Sequence, residues 1–102
     1  MDRAEMLKQV LEQNPNDAFA RYGLAMEYSR AGEVEIALAE FKKLLEAHPD
    51  YIAGYQMAGQ MLSSAGRGEE ARRMLESGIA RAESSGNKHA REEMQGLLMD
   101  LG

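Results

Sequence analysis

The 102-residue sequence contains no cysteine and only two prolines, and both absences narrow the possible structures. Without cysteine, neither a disulfide framework nor a thiolate metal site is possible, which agrees with a reducing compartment. The helix formers Ala, Leu, Met, Glu, Gln, Lys and Arg dominate, while Val and Ile are few and no segment alternates like a β-strand. The sequence therefore predicts an all-α protein, and its length fits one domain.

Long apolar runs and clusters of positive charge are also missing. No apolar stretch approaches the roughly 18 residues of a membrane span, and the N-terminal segment MDRAEMLKQV lacks the apolar centre of a signal peptide. The net charge is −5, and the longest basic clusters are the pairs Lys42-Lys43 and Arg72-Arg73, each flanked by acids. A nucleic-acid footprint would need clustered Lys and Arg. We expect no membrane partner, no nucleic-acid partner and a cytoplasmic location.

Six helices are predicted, separated by residues that stop one helix and cap the next. The helices cover residues 2–13, 18–31 and 34–47, the uncharged stretch Tyr51–Gly66, and residues 69–82 and 88–101. The interruptions are Asn14–Asp17, Gly32, His48–Asp50, Gly66–Gly68 and Ser84–Asn87. Asn16 or Asp17 is expected to cap the second helix, and Gly32 to end it in a left-handed conformation.

Apolar residues recur at helical spacing in most of these segments, and they define the faces that we expect to be buried. These positions are Met6, Leu7, Val10 and Leu11 in the first helix, Ile36, Ala37, Leu38, Phe41, Leu44 and Leu45 in the third, Ala71, Met74, Leu75 and Ile79 in the fifth, and Ala90, Met94, Leu97, Leu98 and Leu101 in the sixth. Tyr51–Gly66 holds no charged residue in a chain that is 28% charged. A helix without charge on any side is normally covered on more than one face.

The chain repeats itself at a spacing of about 34 residues, with small residues on small ones and large apolar residues on large ones. The paired positions are Leu24 with Ala58, Ala25 with Gly59, Tyr28 with Leu62, Ala31 with Ala65, Gly32 with Gly66, Ala37 with Ala71, Phe41 with Leu75, Pro15 with Pro49 and Leu7 with Phe41. Each unit is a helix–turn–helix that cannot bury its apolar face alone, so neighbouring units must stack.

These residues resemble the tetratricopeptide repeat family, whose pattern places an aromatic, then Leu-Gly, Tyr, Ala, Phe and Pro within each repeat. One repeat matches through Leu24-Ala25, Tyr28, Gly32, Ala37, Phe41 and Pro49, and the next through Tyr55, Ala58-Gly59, Gly66, Ala71 and Leu75. Arg21 and Glu83 depart from the pattern. The resemblance implies one domain over residues 1–102, a right-handed superhelical stack. It comprises a half repeat at 2–13, repeats at 18–47 and 52–82, and a capping helix at 88–101.

The last helix fits the repeat only after a shift in register. At strict spacing, Glu92 and Glu93 would take the buried places of Leu24 and Ala25, which would leave two charges buried without partners. Two extra residues in the linker at positions 83–88 align Met94 with Ala58 instead. We therefore predict a two-residue insertion there, with both glutamates in water.

Few residues are suited to catalysis or to metal binding. The two histidines, His48 and His89, lie far apart beside turns, and no spaced His, Asp and Glu set is typical of a metal site. The pairs Glu69-Glu70 and Glu92-Glu93 point about 100° apart on a helix and cannot form a carboxylate dyad. Gly66–Gly68 follows a helix, so an interhelix turn is favoured over a phosphate loop. We predict no enzyme activity and no cofactor.

The resemblance also implies a binding site, because the first helix of each repeat in the family lines a concave groove for a peptide or a partner's helix. The matching positions are Phe19, Tyr22, Met26 and Arg30 in the first repeat and Gln56, Met57, Gln60 and Ser64 in the second. The competing interpretation is that Met26 and Met57 cover core edges and that Phe19 packs under the first helix. The family members that grip terminal carboxylates of chaperone tails use Lys and Asn where Tyr22 and Met26 stand, so that clamp is not supported.

The predicted function is a non-catalytic adaptor that docks a protein or peptide segment in the groove. Apolar side chains of the partner would settle on Tyr22, Met26 and Met57, while Gln56 and Gln60 would bond its backbone. The alternative is a self-associating structural scaffold, for example a homodimer, that pairs through its groove or its end faces.

Overall fold

The computed structural model describes residues 1–101, which form six α-helices and no strand. The helices are α1 (Arg3–Gln13), α2 (Ala18–Arg30), α3 (Val34–Ala47), α4 (Ile52–Ser64), α5 (Gly68–Ser84) and α6 (Lys88–Asp100). The all-α prediction is confirmed, and the observed bounds lie within about two residues of the predicted ones, which is the usual uncertainty of helix ends.

The helix ends carry the capping chemistry that the sequence predicts. The Asp17 carboxylate accepts a hydrogen bond from the Ala20 amide at 2.9 Å, and Asp2 and Asn87 cap α1 and α6 in the same way. Gly32 ends α2 with φ of 78°, and Gly66 ends α4 with φ of 77°. Glycine adopts this left-handed conformation without the steric penalty that a Cβ would bring, so each turn reverses the chain within a few residues.

The chain forms two compact units, which are residues 1–48 with α1 to α3 and residues 49 onward with α4 to α6. In the first unit, α2 packs against both α1 and α3. Its core joins Leu11, Ala20 and Leu24 with the half-buried Leu7 and Tyr28. Phe41 and Leu44, both on α3, are fully buried.

The second unit is packed through small residues at its helix contacts, with α5 against both α4 and α6. A Cβ placed on Gly59 would lie 2.6 Å from the Leu75 side chain, so only a glycine lets α5 approach α4 this closely. At Gly78 the same added carbon would meet Tyr55 at 2.5 Å and the Met94 sulfur at 2.6 Å. Glycine at these two places therefore sets the distance between the helices.

Three positions predicted to be buried are exposed, and the prediction is wrong there. The exposed fractions are 54% for Met6, 43% for Val10 and 46% for Ile36. Within its unit, α1 packs against α2 alone, so Leu7 and Leu11 turn toward α2 while Met6 and Val10 point to the opposite side. Ile36 lies at the rim of an open cavity in the same unit.

The predicted register of the last helix is confirmed. Helix α2 begins at Ala18 and α4 at Ile52, 34 residues later, whereas α6 begins at Lys88, 36 residues after α4. Met94 is fully buried, while Glu92 and Glu93 are exposed. The remaining predicted apolar positions of α6, Leu97, Leu98 and Leu101, are only half-buried.

Candidate functional site

Four of the predicted binding residues lie along one side of α2, and we call this surface the α2 face: Phe19, Tyr22, Met26 and Arg30. Their spacing keeps them within about a quarter turn of one another, because successive helical residues are about 100° apart. Phe19 is 69% exposed, while Tyr22 and Met26 are half-buried. The interpretation that Phe19 packs under the first helix is therefore wrong, and its ring is open to water.

Tyr22 is held in place by the core beneath it. Its ring meets the buried ring of Phe41 edge to face, with centroids 6.5 Å apart and planes at 67°. Burial raises the pKa of the Tyr22 phenol, and the positive charge of Arg30 opposes that rise. The side chain is thus a neutral, anchored aromatic group with one part of its surface in water.

Arg30 does not present an uncompensated charge on this face. Its guanidinium donates a hydrogen bond to the carboxylate of Glu27, one turn earlier on α2. The same carboxylate also lies 3.5 Å from the guanidinium of Arg3 on α1. An incoming carboxylate would have to compete with Glu27 for Arg30, so the face is poorly suited to capturing an anion.

The other four predicted residues share one side of α4, and we call this surface the α4 face: Gln56, Met57, Gln60 and Ser64. Gln56, Met57 and Gln60 are half-buried, and Ser64 is exposed. The buried residues of α4 cover a broad arc of the helix, namely Gly54, Tyr55, Ala58, Gly59, Met61 and Leu62. The α4 face therefore borders the core of its own unit and offers amide, thioether and hydroxyl groups without a charge.

The contacts of Arg21 were not predicted from the sequence, in which Arg21 is notable only because it departs from the repeat pattern. The Arg21 guanidinium donates to the Glu40 carboxylate on α3 at 2.7 Å and to the Pro15 carbonyl at 3.1 Å. Glu40 is the one charged residue of the described chain that is buried. The two partners are 19 residues apart and lie on different helices, so the periodicity within one helix could not have revealed the pair.

A cavity of about 510 Å³ opens in the first unit, outside the α2 face. It is lined by Asp2, Ala4, Glu27, Tyr28, Ala31, Glu33 and Ile36. The positions in the second unit that match Glu33 and Ile36 are Arg67 and Glu70, which bond each other at 2.7 and 2.9 Å. The first unit has Glu33 and Ile36 at these two positions, and Ile36 lies at the rim of the cavity.

Each histidine lies within hydrogen-bond distance of one oxygen atom of another residue. The His48 ring nitrogen Nε2 lies 2.9 Å from the Asn16 carbonyl oxygen, and His89 lies 2.9 Å from the Glu93 carboxylate, four residues on. No group of three or more His, Asp and Glu side chains within residues 1–101 is placed to hold a metal ion. None of the six helices is long and apolar enough to cross a membrane.

Comparison with known proteins agrees with this architecture. A family model described as tetratricopeptide repeat matches residues 4–62, more than half of the chain. A TPR repeat-containing protein of Pseudomonas aeruginosa is 34% identical over 97 residues, which cover 95% of this chain and 92% of that protein. The chain repeats a pair of helices at a spacing of about 34 residues, and a glycine ends the first helix of each pair. This arrangement defines a helical-repeat protein. The chain belongs to the tetratricopeptide repeat family.

Solved structures share this fold. A solution structure of a protein from Bordetella parapertussis superposes with a TM-score of 0.85 at 28% identity, covering 99% of this chain and 88% of that one. The TPR2B domain of yeast Sti1, solved in a complex with pHsp70, gives a TM-score of 0.88 and covers 96% of this chain and 78% of that one. Its identity is 15%, so this likeness shows the fold alone. The predicted all-α, TPR-like fold class is confirmed.

Proposed function

We propose that this protein is a non-catalytic binding module that holds an apolar segment of a partner protein on the α2 face. The observation that carries the proposal is the 69% exposure of Phe19 beside the half-buried Tyr22 and Met26. An exposed phenylalanine that continues into an aromatic and thioether surface is unfavourable in water and is typical of a surface that a partner covers. Membership of a family of protein-interaction repeats supports the same function.

The α2 face combines a fixed aromatic group with an adaptable one. Tyr22 is anchored on Phe41, so little conformational entropy is lost when a partner packs on the exposed part of its side chain. Met26 is flexible and polarizable and can follow the shape of different side chains. Aromatic anchors of this kind are common among the residues that contribute most to binding at protein interfaces.

The chemistry of the partner follows from the absence of free charge on the α2 face, where Arg30 is bonded to Glu27. The α4 face, taken by itself, has no charged residue. Its Gln56 and Gln60 offer amide donors and acceptors that suit a peptide backbone without requiring a particular sequence. We therefore expect an apolar, near-neutral segment whose affinity changes little with salt, in contrast to an acidic tail.

A peptide-display selection with the purified chain tests the proposal. Peptides that bind the wild type should be enriched in aromatic and aliphatic residues. Phe19→Ser should weaken the selected peptides at least about tenfold, as expected for an interface anchor. The matched control is Met99→Ser on α6, because Met99 is 80% exposed and lies outside both faces. Equal loss in the two variants, or none in Phe19→Ser, would refute the assignment of the α2 face.

The alternative is self-association through the same face, since a second copy also carries apolar groups. Light scattering of the wild type and of Phe19→Ser across concentration separates the two functions. A mass that rises with concentration and falls back in Phe19→Ser favours a homodimer at the α2 face, whereas a constant mass with retained peptide binding favours the adaptor. The cytoplasm remains the proposed location.

A further inference from the structure

The cavity of the first unit lies away from the α2 face. It opens where the start of α1, the end of α2 and the start of α3 come together, and Tyr28 lines it from α2. Tyr28 follows Phe19 by nine residues and points to the opposite side of α2, because successive helical residues are about 100° apart. A ligand in this cavity would therefore use a surface that the proposed function does not involve.

Part of the cavity wall is apolar. Ala4 and Tyr28 are half-buried and pack on the core of the first unit. Ile36 extends this apolar surface to the rim, where its side chain is 46% exposed. The ammonium of Lys8 lies 5.6 Å from the centre of the Tyr28 ring, so this ring already has a cation beside it. The apolar groups suit an alkyl chain, and the tyrosine ring tolerates a positive charge.

The charged part of the wall is entirely acidic. Asp2, Glu27 and Glu33 line the cavity, and no lysine or arginine of residues 1–101 does. Glu27 is already bonded to Arg30. Asp2 uses one carboxylate oxygen to cap α1, and the side chain of Glu33 makes no capping bond to α3. No salt bridge joins Asp2 or Glu33 to a basic side chain within residues 1–101, so both carboxylates are open to an incoming cation.

The second unit holds an arginine where the first unit has none. The positions that match Glu33 and Ile36 are Arg67 and Glu70, and the Arg67 guanidinium donates to both carboxylate oxygens of Glu70. This corner of the repeat therefore accommodates a guanidinium paired with a carboxylate. In the first unit the same corner has a carboxylate and an aliphatic side chain, and the guanidinium is missing.

We propose that the cavity binds an arginine side chain of a partner protein. The guanidinium bonds the carboxylates of Asp2 and Glu33, and the alkyl stem lies along Tyr28 and Ile36. The cavity volume of about 510 Å³ is within the range of ligand sites and exceeds the volume of one side chain. An anion would meet three carboxylates here, and a purely apolar group would remove them from water without a partner, which is costly.

Arginine fits this wall better than a simple cation does. Its guanidinium is planar, carries five donors and is more weakly hydrated than an ammonium, so it gives up water readily when it pairs with carboxylates. Its three methylene groups can cover the apolar wall while the charged end remains at the acidic rim. The cavity therefore requires two properties of its ligand together, a positive charge and an apolar stem.

A nuclear magnetic resonance titration with a capped amino acid tests the proposal. The probe is N-acetylarginine methylamide, which presents the arginine side chain as a protein chain would. We expect saturable shifts of the amide signals of Tyr28, Glu33 and Ile36, with a dissociation constant on the order of 1–10 mM for so small a ligand. The citrulline analogue has the same shape without the charge and should bind at least about tenfold more weakly. Methylguanidinium has the charge without the stem and should also bind several times more weakly.

Substitutions locate the charge that the probe recognises. Glu33→Gln should weaken the probe at least about fivefold, and Asp2→Asn should weaken it while keeping a side-chain oxygen to cap α1. The matched control is Glu46→Gln, because Glu46 is exposed on the same helix as Ile36 and lies outside the cavity. It removes one negative charge and should change the affinity less than about twofold. Phe19→Ser should leave the affinity unchanged, so this test and the test of the α2 face can fail separately.

Four results would overturn the proposal. The first is the absence of saturable shifts at the cavity residues. The second is equal binding of the arginine and citrulline probes, or of the arginine probe and methylguanidinium. The third is an equal loss in Glu33→Gln and Glu46→Gln, which would mean that the probe is attracted only by the net negative charge of the protein. The fourth is a loss of probe binding in Phe19→Ser, which would place the probe on the α2 face.

Discussion

The hairpins α2–α3 and α4–α5 turn in the same way but fill the space between their helices differently. In both, a backbone amide just after the turn glycine bonds a carbonyl one turn back, Glu33 to Tyr28 at 3.0 Å and Arg67 to Leu62 at 2.9 Å. In both, an alanine of the second helix is fully buried. The turn and the helix crossing are therefore common to the two repeats.

The difference lies at the matching positions Arg21 and Tyr55. Arg21 donates to the Pro15 carbonyl at 3.1 Å, and the Tyr55 hydroxyl donates to the matching carbonyl, that of Pro49, at 2.7 Å. Both side chains thus bond the linker before their helix. Arg21 is also bonded to Glu40, whereas Tyr55 fills the space beside Gly78.

The residues that pack against Arg21 and Tyr55 also differ between the two repeats. Glu40 becomes Met74 in the second repeat, so the charge disappears together with the arginine. Leu44 becomes Gly78, so a large side chain is lost where the tyrosine ring enters. Both repeats keep a bond to the linker carbonyl, while the residues between the helices differ as a group. The following changes break one repeat while leaving the other intact.

The largest effect is expected from Tyr55→Ala. Removing a buried aromatic side chain should lower the free energy of unfolding by about 3–4 kcal/mol, because a cavity forms beside Gly78. Tyr55→Phe removes only the hydrogen bond to Pro49 and should cost about 1 kcal/mol. Urea denaturation followed by circular dichroism measures both values. Similar costs for the two variants would mean that the ring contributes little packing.

Gly78→Ala should have the next largest effect. The added carbon would lie 2.5 Å from the Tyr55 Cβ and 2.6 Å from the Met94 sulfur, so α5 must shift away from its neighbours. Overpacking of this kind costs about 1–3 kcal/mol. The matched control is Gly96→Ala on α6, where an added carbon meets no atom within 4 Å. That substitution should stabilise the protein by about 0.5–1 kcal/mol, because alanine favours a helix. Equal effects of the two alanines on unfolding would contradict the close packing at Gly78.

Glu40→Gln tests the polar contact of the first repeat and should have a smaller effect. The amide keeps an acceptor for Arg21 but removes the opposite charge from a pair that is mostly shielded from water. We expect a loss of about 1–2 kcal/mol, between the values typical of exposed and of buried pairs. Glu69→Gln is the control, because Glu69 and Arg73 form an exposed pair at 3.8 Å. Its expected effect is below about 0.5 kcal/mol. Equal losses in thermal or urea unfolding would contradict the structural role of Glu40.

The fold could be predicted because its determinants are local and periodic. Pro15, Asp17 and Gly32 mark helix boundaries by their own backbone chemistry, and the repeat at about 34 residues supplies the pairing of helices. The shift of α6 could be predicted as well, since the unshifted register would have buried two glutamates. The contact between Arg21 and Glu40 could not, because it depends on which residues of two helices meet.

Burial was predicted less well than helical structure. The apolar periodicity of α1 identified an apolar stripe but not how much of it is covered, and Met6 and Val10 lie outside the area that α2 protects. Likewise, the sequence could not decide whether Phe19 is core or surface, because a phenylalanine fits both. The eight residues of the binding site came from position in the repeat, and their role in binding remains a proposal.

Site-specific photo-crosslinking tests the central proposal most directly. A benzoylphenylalanine at position 19 keeps an aromatic ring on the α2 face, and the same residue at position 99 gives the control on α6. Both carriers would be irradiated with a display-selected peptide at one concentration, and the products analysed by mass spectrometry. We expect a peptide crosslink from position 19 that disappears with excess unlabelled peptide, and none that does so from position 99. Equal crosslinking from the two positions, or crosslinking from position 99 alone, would contradict the α2 face as the binding site.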